Sequence, residues 1–157
     1  MNNVSYHTLK YTYRNSNELI YVSSNFIMKN KKQLRKNIRS VKNLEKPIKV
    51  VFNTSLDDII NSLSGDVLIL GRNKDIQNIN YSNKLTIHKS KGLECDNVIL
   101  VNSDNIPSTR TNEAILRHVL NTYEYLLHEE ERRLFYVALT RTKGYIYIIV
   151  DKKVSPF

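Results

Sequence analysis

Between Thr86 and Leu100 the chain reads TIHKSKGLECDNVIL, and five residues capable of chemistry fall within seven positions: His88, Lys89, Lys91, Gly92 and Glu94. Gly92 lets the backbone turn tightly or approach a ligand closely. The flanking Lys89 and Lys91, together with exposed N–H groups, suit a phosphate. On its own a Lys-Gly loop reads as a basic surface turn, and His88 alone could equally be read as a structural histidine. A second segment, EEERRLFYVALTRTK (Glu129 to Lys143), sets Arg132, Arg133 and Arg141 beside an apolar stripe of Leu134, Val137 and Ala138. Glu129 to Glu131 occupy the first helical turn, where acids complement the helix dipole. Arg132 and Arg133 are read equally as partners of those acids. Arg141 follows a Val-Ala-Leu-Thr run at the helix end, and a guanidinium there is always charged and grips two oxygens in a fork. Near the start, Tyr13 and Arg14 precede a helix cap, a pair that is unremarkable by itself.

These segments need a scaffold. The periodicities predict strands over Ile48 to Phe52, Asp66 to Gly71, Leu85 to Ile87, Val98 to Val101 and Tyr145 to Val150. The last runs out to an edge at Asp-Lys-Lys. Asn15 with Glu18 predicts a capping box for a helix whose inner face holds Leu19, Ile20, Val22, Phe26 and Ile27. Thr54 or Ser55 caps a short helix with Leu56, Ile59, Ile60 and Leu63 inward. Further helices are predicted over Thr111 to Leu127 and Glu129 to Thr142. Strands alternating with helices imply a mainly parallel α/β sheet. Between Lys29 and Lys49 nine basic residues face one acid, Glu45, with Leu34, Ile38 and Val41 at partial helical spacing. Such a run is ordinarily a solvated face, and it is also the best candidate for a surface that tracks phosphates.

At 157 residues the chain is expected to form one domain, 1–157, large enough to bury a core. Its 41% hydrophobic content argues against disorder. Lys and Arg outnumber Asp and Glu by 24 to 15, a net charge of +9, which favours a polyanionic partner through counterion release. Cys95 is the single cysteine, so an intrachain disulfide and a multi-cysteine metal site are excluded. MNNVSYHTLK has no apolar leader and no run approaches membrane-spanning length, so a cytoplasmic location without a membrane partner is expected.

Taken over their full length, the two segments resemble the fifth and sixth motifs of UvrD/Rep-like superfamily 1 DNA helicases. LKYTYRNSNELI (Leu9 to Ile20) resembles the fourth, and SLSGDVLILGRN (Ser62 to Asn73) resembles the strand before that family's inserted subdomain. The resemblance implies a RecA-like (P-loop NTPase-type) three-layer domain, the second motor domain of an ATP-dependent DNA helicase used in DNA repair. Only about a dozen residues separate Asn73 from Thr86, so the large insertion between 73 and 86 is expected to be essentially absent, as in a compact, helicase-IV-like branch. Position by position, Arg141 would be the arginine finger on the transferring phosphoryl group, and Arg14 a second cation on it. Tyr13 would stack on adenine, and Glu94 would face the ribose and phosphates. Lys91 and Gly92 would lie between nucleotide and DNA, while Thr86, His88 and Lys89 would hold single-stranded DNA. Where Cys95 stands the family commonly has Phe, a departure that loosens local packing at most.

A P-loop needs two glycines five positions apart followed by Lys-Ser/Thr. Glycines 65, 71, 92 and 144 never show that spacing, and no strand ends in Asp-Glu. The resemblance therefore implies ATP with Mg2+ held mainly by a separate N-terminal P-loop domain, in cis or in trans, and an isolated chain that is inactive. The alternative is a stand-alone helicase-like module that binds nucleic acid or a protein without ATPase activity. A third reading is a basic nucleic-acid-binding domain resting on Lys29 to Lys49.

Overall fold

The computed structural model describes residues 10–35, 37–107 and 123–151. Its centre is a five-stranded sheet in the order β3-β7-β6-β4-β5, formed by β3 (Ile48–Phe52), β4 (Val67–Gly71), β5 (Lys84–Thr86), β6 (Asn97–Val101) and β7 (Ile146–Val150). All four pairings are parallel. Every residue of β4, β6 and β7 is buried, as expected of strands covered on both faces. A short parallel pair, β1 (Tyr11–Thr12) with β2 (Arg39–Ser40), lies outside that sheet.

Alternation along the strands splits the core into two layers. Leu68, Leu70, Val98, Leu100, Ile146 and Ile148 point to one face and meet Leu19, Leu134, Phe135 and Ala138. Val67, Ile69, Ile99, Val101, Tyr147 and Ile149 point to the other and meet Ile59. The first layer is therefore roofed by α1 (Asn17–Ile27) and α3 (Tyr123–Leu139), the second by α2 (Leu56–Ser62). Period-two strands packed between helices give the expected three layers.

Several local expectations are corrected. Ser16, not Asn15, caps α1, its hydroxyl accepting from the Leu19 N–H at 3.3 Å. Glu18 accepts from the Leu44 N–H at 2.8 Å, 26 residues away, instead of closing a capping box. Val22 is 45% exposed, while the polar Ser23 takes the buried place on that helix. Leu34 and Val41, expected on a helical face, are 80% and 69% exposed in an irregular segment. β5 stops at Thr86, because its hydroxyl caps a 3₁₀ turn over Ile87–Ser90. The break expected between Leu127 and Glu129 does not occur: α3 runs from Tyr123 through Glu129 and stops at Leu139, before Thr142. Most of the predicted Thr111 to Leu127 helix lies outside the described residues.

A polar seam fixes the roof. Glu129, 2% exposed, accepts from the Lys31 N–H at 2.8 Å, and its carbonyl accepts from the Asn30 amide at 3.0 Å. Arg132 donates to Asn30 Oδ1 at 2.6 Å. Arg72, just past β4, pairs bidentately with Glu131 at 2.6 to 3.2 Å, both side chains nearly buried. Burial without such pairing would be costly for any of these charges.

Candidate nucleotide and nucleic-acid site

Three stretches far apart in sequence meet at the amino ends of β6 and β7. Cys95 and Thr142 form a parallel bridge there, with the Cys95 N–H donating to the Arg141 carbonyl at 3.1 Å and the Lys143 N–H to the Cys95 carbonyl at 2.8 Å. Thr142 Oγ1 donates to the Asp96 carbonyl at 2.9 Å. The third stretch enters through Asn15, 9% exposed, whose amide donates to the Thr142 carbonyl at 2.7 Å and the Thr140 carbonyl at 3.4 Å. Asn15 thus joins the residue beside Arg14 to the residues on either side of Arg141. Gly144 completes the weld, since a Cβ there would meet the Asp96 carbonyl oxygen at 2.9 Å.

Held this way, Arg14, Glu94 and Arg141 are neighbours. Arg14 Nε donates to Glu94 Oε2 at 2.7 Å, with side chains 31% and 45% exposed. That bond, and then the guanidinium charge, keep the Glu94 carboxyl below its ordinary value, with Lys143 and Lys42 adding to the effect. Arg141 donates from Nε to the Val137 carbonyl at 3.0 Å, from Nη1 to the Leu93 carbonyl at 3.1 Å and from Nη2 to Thr140 Oγ1 at 3.2 Å. A guanidinium has five N–H groups, so one on each terminal nitrogen remains for a ligand among the described residues. Burial lowers the pKa of Arg141, and the charge of Arg14 lowers it further. Two cations sharing one carboxylate leave a net positive corner, which suits a polyphosphate.

Tyr13, 72% exposed, precedes Arg14. The remaining expected residues lie along the crossover from β5 to β6. Thr86 stands opposite Gly71 at the carboxyl end of β4, whereas Asn97 stands opposite Val67 at its amino end. The crossover therefore runs the length of a strand, about 16 Å. Thr86, His88 and Lys89 sit at its start, Lys91 and Gly92 midway, and Glu94 at the far end. His88, Lys89, Lys91 and Gly92 are exposed, and Gly92 has φ +87° with open space where a Cβ would be. Buried Ile87 and Ser90 anchor the crossover, Ser90 Oγ donating to the Ile87 carbonyl at 2.7 Å.

Of the helix arginines, Arg133 pairs with Glu129 one turn back at 3.4 Å, whereas Arg132 serves Asn30 and lies over the Phe26 ring. Cys95 is buried, and burial pushes its thiol up, away from the reactive thiolate. Sequence reasoning missed Asn15, Thr142 and the Lys143–Asp96 ion pair at 3.3 Å. All three lie within a residue or two of expected positions, but their partners are far away in the chain. Among the described residues no three His, Cys, Asp or Glu side chains are placed to hold a metal ion. No described helix is long and apolar enough to cross a membrane.

An all-parallel sheet roofed on both faces, with motif loops gathered at its strand ends, defines a three-layer α/β class. The chain belongs to the UvrD-like helicase C-terminal domain family, which it matches over residues 53–153. It is 31% identical to DNA helicase IV of Escherichia coli over 93% of its length, but spans only 25% of that protein. It is 37% identical over 100 residues to a probable DNA helicase II homolog of Mycoplasma pneumoniae, covering 62% of this chain and 12% of that one. Among solved structures, the C-terminal domain of a possible DNA helicase from Lactobacillus (strain WCFS1) superposes with TM-score 0.53 at 16% identity, over 92% of this chain and 91% of that one. The PRRSV helicase superposes with TM-score 0.51 at 18% identity, over 90% of this chain and 22% of its own. At such identities the structural likeness speaks for the fold.

Proposed function

We propose that this chain is a single RecA-like motor domain, without the large insertion between 73 and 86, in an ATP-dependent DNA helicase. In this reading it completes an ATP site whose phosphate cradle and Mg2+ belong to a preceding P-loop domain, in cis or in trans. The observation that carries it is the convergence of Arg14, Glu94 and Arg141 on one exposed corner, held there by the Asn15 and Cys95–Thr142 bonds. Arg141 is positioned by three donor bonds and keeps two N–H groups for the transferring phosphoryl oxygens. Arg14 spends only Nε on Glu94, so both terminal nitrogens remain for a phosphate. Glu94 neutralises one of the two cations and presents its other oxygen to a sugar hydroxyl. Tyr13 offers an exposed ring for the base.

Thr86, His88 and Lys89 would hold single-stranded DNA at the other end of the crossover, with Lys91 and Gly92 between the ligands. Opening and closing of the cleft against the P-loop domain would then carry the crossover with this domain, stepping the strand. In this reading the whole protein works in the cytoplasm, in DNA repair.

The test is Arg141→Ala in the polypeptide that carries both domains. DNA-stimulated ATP turnover should fall by roughly 10³-fold or more, as for other arginine fingers, while single-strand affinity stays within about threefold. Unchanged turnover would remove Arg141 from the chemistry. The isolated chain should hydrolyse ATP negligibly. Turnover by the pure chain that vanishes in Arg141→Ala would overturn the need for a separate P-loop domain.

A further inference from the structure

The Lys29 to Lys49 segment is not a loose solvated loop, because its backbone is pinned to α1. The Asn17 amide donates to the Ser40 carbonyl at 2.9 Å and its oxygen accepts from the Ser40 N–H at 2.8 Å. Arg39 is in register with Tyr11, and the Gln33 N–H donates to the Asn30 carbonyl at 3.2 Å. Between this pinned segment and the helix runs a groove of about 540 Å³. One wall is a stripe of α1 and its C-cap at positions 17, 21, 24 and 28, one side of a helix, with Ile20, Ile27 and Tyr136 at the floor. The other wall is formed by residues 33–35 and 37–39.

The lining contains no acid. Arg35 and Arg39 are exposed, and neither has an ion pair among the described residues. The Tyr21 ring is 71% exposed on the facing wall. Asn25 and Asn37 add exposed amides. Guanidinium groups for phosphates, an aromatic face for a base and amides for base edges together fit an unstacked polynucleotide. An acidic peptide would use the arginines and leave Tyr21 without a role.

We propose that this groove is a second single-stranded nucleic-acid site, separate from the Thr86–Lys89 end of the crossover, with Arg35 and Arg39 on the backbone and Tyr21 stacked on a base. It does not rest on the ATP chemistry proposed above. At about 16 Å the α1 wall is long enough for a short run of nucleotides. The site would hold the strand while the crossover loop lets go, so that the domain keeps its track between steps.

The test is fluorescence anisotropy of a labelled oligo-dT with the 157-residue chain at several salt concentrations. Arg35→Gln with Arg39→Gln should weaken binding tenfold or more and reduce the salt slope by about 1.4, since each phosphate contact on a single strand contributes about 0.7. Tyr21→Ala should cost fivefold or more, and Tyr21→Phe should restore affinity to within about twofold. The comparison is His88→Ala with Lys89→Gln. If only that variant loses binding and the groove variants bind like the parent, the groove is no site, while the proposed motor function stands. If the groove variants lose binding and the loop variant retains it, the groove is supported and the loop assignment fails. Displacement of the oligonucleotide by poly-glutamate, with equal affinity in Tyr21→Ala, would make it an acidic-peptide site and overturn the proposal.

Discussion

Arg14 and Glu94 are 80 residues apart, and each sets the charge state of the other's surroundings. Because folding lowers the Glu94 carboxyl pKa, the pair contributes stability above the ordinary carboxylate value of about 4.5 and loses it as pH falls through the lowered value. The pair is solvent-exposed, so salt weakens it. Arg14→Gln should move the Glu94 pKa back up, measured by NMR titration of the carboxyl carbon. An unmoved value would mean that Lys143 and Lys42 hold the carboxylate instead. Reading Arg14, Glu94 and Arg141 as candidates required only residue types and motif order. Finding Asn15 required knowing that its amide faces the Thr140 and Thr142 carbonyls, more than 120 residues on. Nothing local marks it, since Asn15, Ser16 and Asn17 are all good caps.

At the scale of elements, β4, β6 and β7 were legible because unbroken Val, Ile and Leu runs of about five residues are what a doubly covered strand demands. The capping of α1 was displaced by one residue because distant carbonyls and the Leu44 N–H claimed the side chains of Asn15 and Glu18. The partial helical spacing of Leu34, Ile38 and Val41 does not become a helical face, because β1 pairing and the Asn17–Ser40 bonds hold Arg39 and Ser40 extended. Glycines at the crossover and the weld give a graded test. Gly92→Ala should cost only the backbone strain of a positive φ, about 1–2 kcal/mol, since its Cβ meets open space. Gly144 carries no positive φ, but Gly144→Ala must push on the Asp96 carbonyl that Thr142 and Gly144 both bond, and should cost more. Urea denaturation of the two variants would expose the opposite order at once. Asn15→Ala should cost about 1–3 kcal/mol by leaving buried carbonyls short of a donor, again measured by denaturation midpoint.

For the whole molecule, the Arg72–Glu131 pair joins the end of β4 to α3 across the first core layer. Arg72→Met should destabilise the domain by about 1–3 kcal/mol, because it removes the bidentate partner of a nearly buried carboxylate. Adding Glu131→Met should recover much of that loss in thermal melts, and a double variant no better than the single would place the cost elsewhere. An antibody against the chain should reveal, in extract of the source cells, a band several-fold larger than 18.4 kDa, as a motor with its P-loop domain requires. A band at 18.4 kDa would demand a partner in trans. One sheet border has its own outcome. Among the described residues β3 bonds only β7, and its own Val50 and Phe52 are 50% and 58% exposed. A bare strand flank with large apolar side chains invites another chain to add itself. Concentrated solutions of the chain are therefore expected to self-associate through this flank, and Phe52→Lys to remain dispersed where the parent turns cloudy.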